Sequence, residues 1–354
     1  MNLDMNKPKL TLLICTHNGA NTISKTLDFI ASQKDIGYGT YEVLVVDNAS
    51  TDETFQVASS TIKEKSLNGR VVQETKIGKI NAFLKGIHEA RSDLVSIIDD
   101  DNLIRPNFIL YTLKAFKNHP EVGMVGSKNH IAANQPLPYW FEWTSGRYAC
   151  STPWLDDIKE ITTDGVTIAQ TAIIPGAGST FKVDPVRSCI DKGYKFFNDT
   201  QRGKKMRVTG EDLELCWLIR SLGYCFAYDP RIQIDHAINP ERLTKEGFDL
   251  LCKTIGAGSV GIDPFLFTHK YDTSAKRWPL KWTWQWQFLS KSKRYLYLLM
   301  SQLSSYNDKK ARFLARRERI ECMGSIQRIL YEREKYTRHI QQVASGQWTD
   351  LRVI

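Results

Sequence analysis

Val95-Ser96-Ile97-Ile98-Asp99-Asp100-Asp101-Asn102 carries an apolar, strand-like run straight into three adjacent carboxylates. Three like charges in a row repel, and they are costly at the margin of a core unless a cation neutralises them. A hard divalent ion bridging carboxylate and phosphate oxygens does so, and Mg2+ or Mn2+ typically binds through one or two carboxylates plus substrate phosphates. The plainer reading is a solvated acidic turn. What favours metal and nucleotide is the position: the cluster ends a buried strand, where open α/β sheets place their ligands.

Upstream, apolar β-branched runs at Leu10 to Cys15, Tyr41 to Val46 and Arg70 to Gln73 have the length of buried parallel strands. Between them, residues 20–32, 52–65 and 79–90 show helical spacing, as in Ile80, Phe83, Leu84 and Ile87. This alternation predicts βαβ units and a mainly parallel, doubly wound sheet flanked by helices. The polar residues after each strand then share one crevice: Thr16, His17 and Asn18, Asp47 and Asn48, and Asp99 to Asn102. No Gly-x-Gly-x-x-Gly follows the first run, and Gly78-Lys79-Ile80 lacks the hydroxyl of a P-loop, so neither a dinucleotide fold nor a P-loop NTPase fits. Farther on, Pro175-Gly176-Ala177-Gly178-Ser179 reads as a tight turn near ligand, and Glu211-Asp212 opens a helix that Gly223 ends.

Taken in order, Leu12 to Asn18, Val43 to Asp52, Gly78 to Asn81, Asp99 to Asp101 and Thr209 to Asp212 make the chain resemble a family 2 inverting glycosyltransferase of the GT-A fold, over about residues 9–240. The resemblance implies a nucleoside diphosphate sugar donor, UDP-linked, and Mn2+ or Mg2+ as cofactor. It implies that Thr16, Asn18 and Asp47 line the nucleotide pocket, that Lys79 approaches the phosphates, and that Asp99 contacts ribose or metal-bound water. Asp101 matches the metal ligand, with Asp100 pointing away. His236 matches a histidine that several GT-A enzymes place on the metal. Gly176, Ala177, Gly178 and Glu211 match the donor-sugar and acceptor side, and Asp212 the general base that takes the acceptor proton. Plainer readings stand beside these: an Asx turn at Asp47, a solvated helix start at Lys79, a hydrogen-bonded core imidazole at His236, and helix N-terminal carboxylates at Glu211 and Asp212. Asn102 departs from a further Asp in many relatives. No Gln-x-x-Arg-Trp element follows Glu211-Asp212, which favours single-sugar transfer over processive polymerisation. The alternative function is a noncatalytic nucleotide-sugar or glycan binding module.

The domain expectation is a catalytic region over 1–255, a linker or loop over 256–275, and a helical, basic and aromatic region over 276–354. The net charge is +9, yet between Lys276 and Ile320 twelve Lys and Arg face only Asp308 and Glu318, a local excess of +10. Trp278, Trp282 and Trp286 are four apart, so one helix would align them on a face, with Pro279 in its first turn. Such a helix suits an anionic membrane interface and a glycan or lipid-linked acceptor; packing against the catalytic domain or a second subunit of a homo-oligomer is the other reading. Nucleic acid is not expected as a partner, since no binding fold accompanies the charge. The N-terminus lacks the order of a secretory signal and no apolar run is long enough to span a bilayer, so the expected address is cytoplasmic, with peripheral attachment at the inner face of the membrane. The seven scattered cysteines form no Cys-x-x-Cys pair and read as reduced, mostly buried thiols.

Overall fold

The computed structural model describes residues 7–133, 135–198, 208–268, 280–305 and 307–348. Strands are β1 (Leu10–Thr16), β2 (Tyr41–Asn48), β3 (Gly69–Glu74), β4 (Leu94–Ile98), β5 (Asn102–Ile104), β6 (Val122–Ala132), β7 (Trp154–Ile161), β8 (Thr167–Ile173), β9 (Thr180–Lys182) and β10 (Cys225–Ala237). Helices are α1 (Ile23–Ala31), α2 (Thr54–Glu64), α3 (Lys79–Glu89), α4 (Phe108–Asn118), α5 (Val183–Asp191), α6 (Glu211–Ser221), α7 (Lys245–Ser259), α8 (Asp263–Thr268), α9 (Trp284–Ser304), α10 (Lys309–Tyr331) and α11 (Arg333–Ser345).

Two compact units divide the chain, residues 1–191 with 218–238, and residues 192–217 with 239–354. The first unit holds one sheet, ordered β3-β2-β1-β4-β9-β6-β10-β8-β7, with β5 paired to β10. It is the mixed, mainly parallel sheet that the alternating pattern predicts. β1, β2, β3 and β4 are parallel, and β9 joins β4 antiparallel. Central β1 and β2 are apolar on both faces because helices cover both. α1 buries Ile23, Leu27 and Ile30 at helical spacing, and these meet Leu12, Ile14, Val43 and Val45 in one core. In parallel register Thr16 lies beside Asp47 and Ile14 beside Ile98, so Thr16, Asp47 and Asp99 emerge at one sheet edge.

The second unit is helical. Its core joins Phe197, Val260, Trp282, Ile329, Tyr336 and Ile340. The expected linker is largely helix: α7 continues to Ser259 and α8 covers Asp263–Thr268, while 269–275 lies outside the described residues. Gly256, which reads as loop, serves close packing instead. A Cβ at Gly256 would lie 1.8 Å from the Glu321 carbonyl oxygen, and one at Gly324 2.1 Å from that of Lys253, so these glycines let α7 and α10 approach backbone to backbone.

The single tryptophan face is also corrected. Trp282 sits in a 3-10 turn (Leu280–Trp282) and is buried in the core; Thr283 caps α9 through its hydroxyl, and Trp286 is exposed within that helix. The break falls where Thr283 turns the chain, so the two rings do not share one helix. Trp278 and Pro279 lie outside the described residues. All seven cysteines are free thiols, six of them buried. Among the described residues, no helix is long and apolar enough to cross a membrane.

Candidate active site

The carboxyl edge of the sheet is held by short polar ties. Asn102, fully buried, knits the acidic cluster: its Oδ1 accepts the Asp99 N–H at 3.0 Å and its Nδ2 donates to Asp101 Oδ1 at 3.0 Å. An Asp at 102 could accept but not donate. Asp99 pairs with Lys79 Nζ at 3.0 Å, and Lys79 opens α3. Asp100 does not point away, as expected, but accepts from the Thr16 hydroxyl, while its carbonyl accepts from Thr26 Oγ1 at 2.9 Å. Thr16, read as pocket-lining, is thus committed to Asp100. Gly19 closes over this bond: a Cβ there would fall 2.2 Å from Thr16 Oγ1 and 2.4 Å from Asp100 Oδ2.

Asp47 is buried, and its Oδ1 accepts the Ser50 N–H at 3.2 Å, the Asx geometry of the plainer reading. Asn48 fastens the loop before α3, donating to the carbonyls of Glu74 and Lys76 and accepting the Gly78 N–H at 2.8 Å. Asn18, in the left-handed region at φ 56°, accepts the Thr51 N–H at 2.8 Å through Oδ1. The 175–179 turn runs along β4: Gly178 donates to the Ile97 carbonyl at 2.9 Å, and Ile97 to that of Ser179 at 2.8 Å. Gly178 has φ +75°, and a Cβ on it would lie 2.4 Å from Ser127 Oγ, so only glycine fits comfortably. The Ala177 carbonyl accepts from Asn129 Nδ2 at 3.0 Å. Gly176, Ala177 and Gly178 therefore stand one strand's end away from Asp99.

β5 brings His236 to the cluster. The antiparallel register sets His236 opposite Asn102, and Ala237 donates to the Asp101 carbonyl at 2.9 Å. His236 Nε2 lies 3.5 Å from Asp101 Oδ1, while Nδ1 faces Cys150 Sγ at 3.8 Å. Burial works against an imidazolium here, but Asp101 and Cys150 outweigh it and push the pKa up to about 10. Among the described residues no group of three or more His, Cys, Asp and Glu stands at metal-binding geometry. Asp101 and His236 are two donors, one carboxylate and one imidazole, a set that fits a hard divalent ion sharing its remaining positions with diphosphate oxygens.

In the second unit, Glu211 and Asp212 form the first turn of α6, both half-buried, and Asp212 Oδ1 accepts the Leu213 N–H at 2.9 Å. The residue that sequence reading missed is Glu214. Fully buried, it accepts from Tyr194 Oη at 2.8 Å, Phe197 N at 2.7 Å and Asn198 N at 2.8 Å, anchoring the start of the helix that carries Asp212. A carboxylate set among Leu213, Leu215 and Cys216 is the signal that could have found it.

The family model described as glycosyl transferase family 2 matches residues 11–187, half of the chain. The chain belongs to this family. Its sheet and flanking helices are of GT-A type. Poly-beta-1,6-N-acetyl-D-glucosamine synthase of Staphylococcus aureus is 24% identical over 221 residues, 62% of this chain and 48% of that protein. The Staphylococcus epidermidis protein of the same name is 27% identical over 122 residues, 34% of this chain and 29% of that one. The chain thus spans about half the length, or less, of these curated relatives. Among solved structures, a mannosyltransferase from Pyrobaculum calidifontis in complex with GDP-Man and Mn2+ shares the fold at a TM-score of 0.55 and 19% identity, over 92% of this chain and 88% of that one.

Proposed function

We propose that this glycosyltransferase moves a single sugar from a nucleoside diphosphate sugar, UDP-linked, to an acceptor hydroxyl with inversion, in surface polysaccharide or glycolipid synthesis. The observation that carries the reading is Asp101 beside His236 at 3.5 Å, next to the Asp99–Lys79 pair, at the sheet edge where nucleotides bind. The names of the curated relatives support an N-acetylhexosamine as the sugar.

Asp101 and His236 would hold the divalent ion, His236 as the neutral imidazole. When bound, that ion supplies charge neutralisation for the departing diphosphate. Asp47 and Thr16 frame the nucleotide end of the edge, Lys79 offers its ammonium to phosphate oxygens, and the Gly176–Gly178 backbone permits close approach of the donor sugar. Asp212 takes the proton of the attacking hydroxyl, and Glu211 orients the acceptor. A second catalytic acid is unnecessary, because a diphosphate leaves without being protonated.

The test is turnover of a panel of nucleotide sugars with Mn2+ or Mg2+. Asp212→Asn is expected to lower turnover at least about 100-fold while nucleotide binding persists. Nucleotide binding without turnover of any donor by the native chain would instead identify a noncatalytic binding module.

A further inference from the structure

α9 has two faces of different fate. Inward, Leu298 and Gln287 are buried, Tyr295 and Gln302 meet Arg319 at 2.8 and 3.0 Å, and Lys291 pairs with buried Asp263 at 3.2 Å. Outward, Trp286, Leu289, Leu296, Tyr297, Met300 and Leu303 fall on one helical face and are 43% to 71% exposed. At the rise of an α-helix this stripe is about 26 Å long. Large apolar side chains left in water along one line mark a docking surface.

Charge selects the occupant. Between residues 273 and 307 the sequence has six Lys and Arg and no Asp or Glu. Lys293 interrupts the stripe, and Arg294 beside it is 63% exposed while pairing with Glu318 at 3.0 Å. A second copy is disfavoured: in-register parallel pairing sets Lys293 against itself, and antiparallel pairing centred on the stripe sets Lys293 across from Leu296, within one turn of its own copy. An anionic bilayer surface meets both demands at once, since apolar side chains enter the acyl boundary while cations meet the headgroups.

We infer that α9 lies in the plane of an anionic lipid surface through the Trp286–Leu303 stripe, with Lys293 at the headgroups. This assignment stands on α9 alone and does not depend on donor or acceptor. The full chain is sedimented with vesicles of phosphatidylcholine alone or with about one-third phosphatidylglycerol, and its oligomeric state is measured without lipid. Binding is expected on anionic vesicles, weakened by salt. The double substitution Leu296→Ser with Met300→Ser weakens it at least about tenfold, and Lys293→Glu about tenfold on anionic vesicles only, both with unchanged circular dichroism. Three results overturn the inference: no binding to either vesicle, binding that both variants leave intact, or a dimer in solution that the double variant dissociates.

Discussion

Asn102 satisfies Asp99 and Asp101 together, with no exposed surface of its own. Asn102→Asp exchanges a donor for a fourth carboxylate, so it is expected to cost about 2 kcal/mol in urea unfolding and to weaken metal-dependent nucleotide binding. An unchanged unfolding midpoint would mean that the amide is not the tie it looks to be. Gly19→Ala drives a methyl between Thr16 and Asp100 and should destabilise by about 1–3 kcal/mol by the same measure. At this scale the sequence was informative about residue type and less so about partners. Asp99 to Asp101 stood out because three carboxylates after an apolar run need an explanation. That Asp100 serves Thr16 while Asn102 serves Asp101 follows from the turn between β4 and β5, which composition does not encode.

Among the elements, β1, β2 and β4 were readable within a residue or two, since buried parallel strands are continuous apolar runs, and so was β3, although its residues are only half-buried or exposed. In the sequence β10 shows only as two short apolar runs, Cys225 to Tyr228 and Ile232 to Ile234; it is one strand with register shifts, and Asp229 and Pro230 mask its continuity. The pairing of β5 with β10 was not legible, as three residues carry no periodicity, yet it delivers His236. The linker expected over 256–275 overlaps the end of α7, whose glycines mimic a loop. Gly324→Leu should force α7 and α10 apart and lower stability by about 3 kcal/mol, measured by thermal unfolding. On α11, His339 is buried, donates from Nε2 to the Gly261 carbonyl at 2.7 Å and stacks on Phe197; burial lowers its pKa to about 4. A histidine whose pKa falls on folding leaves the unfolded chain with more protons, so its contribution is complete above the ordinary value of 6.5 and is lost as pH falls toward 4. Buried Glu214 has the opposite sign, its pKa raised to about 7 by burial despite three donors, so its contribution falls as pH rises from 4.5 to 7. Comparison with His339→Gln isolates the first: below pH 4 the native chain should have lost up to about 3 kcal/mol that the variant does not lose. Parallel pH profiles would contradict the assignment.

For the whole molecule, the sequence resolved a family and a sheet but placed the divisions differently. The expected boundary near 255 follows composition, whereas contacts assign 192–217 and 239–354 to one helical unit and interrupt α6 after Trp217. Composition cannot see this, because the helical unit takes a segment from the middle of the catalytic sequence. The charge asymmetry was readable and belongs to that unit, where α9 directs its apolar stripe outward. The proposed mechanism has Asp101 and His236 as the residues that would hold a divalent ion for the donor diphosphate. Calorimetric titration of the full chain with UDP, with and without Mn2+, tests this directly. Binding should require Mn2+ and fall at least about tenfold in Asp101→Asn and in His236→Ala; Mn2+-independent binding that both variants retain would contradict it.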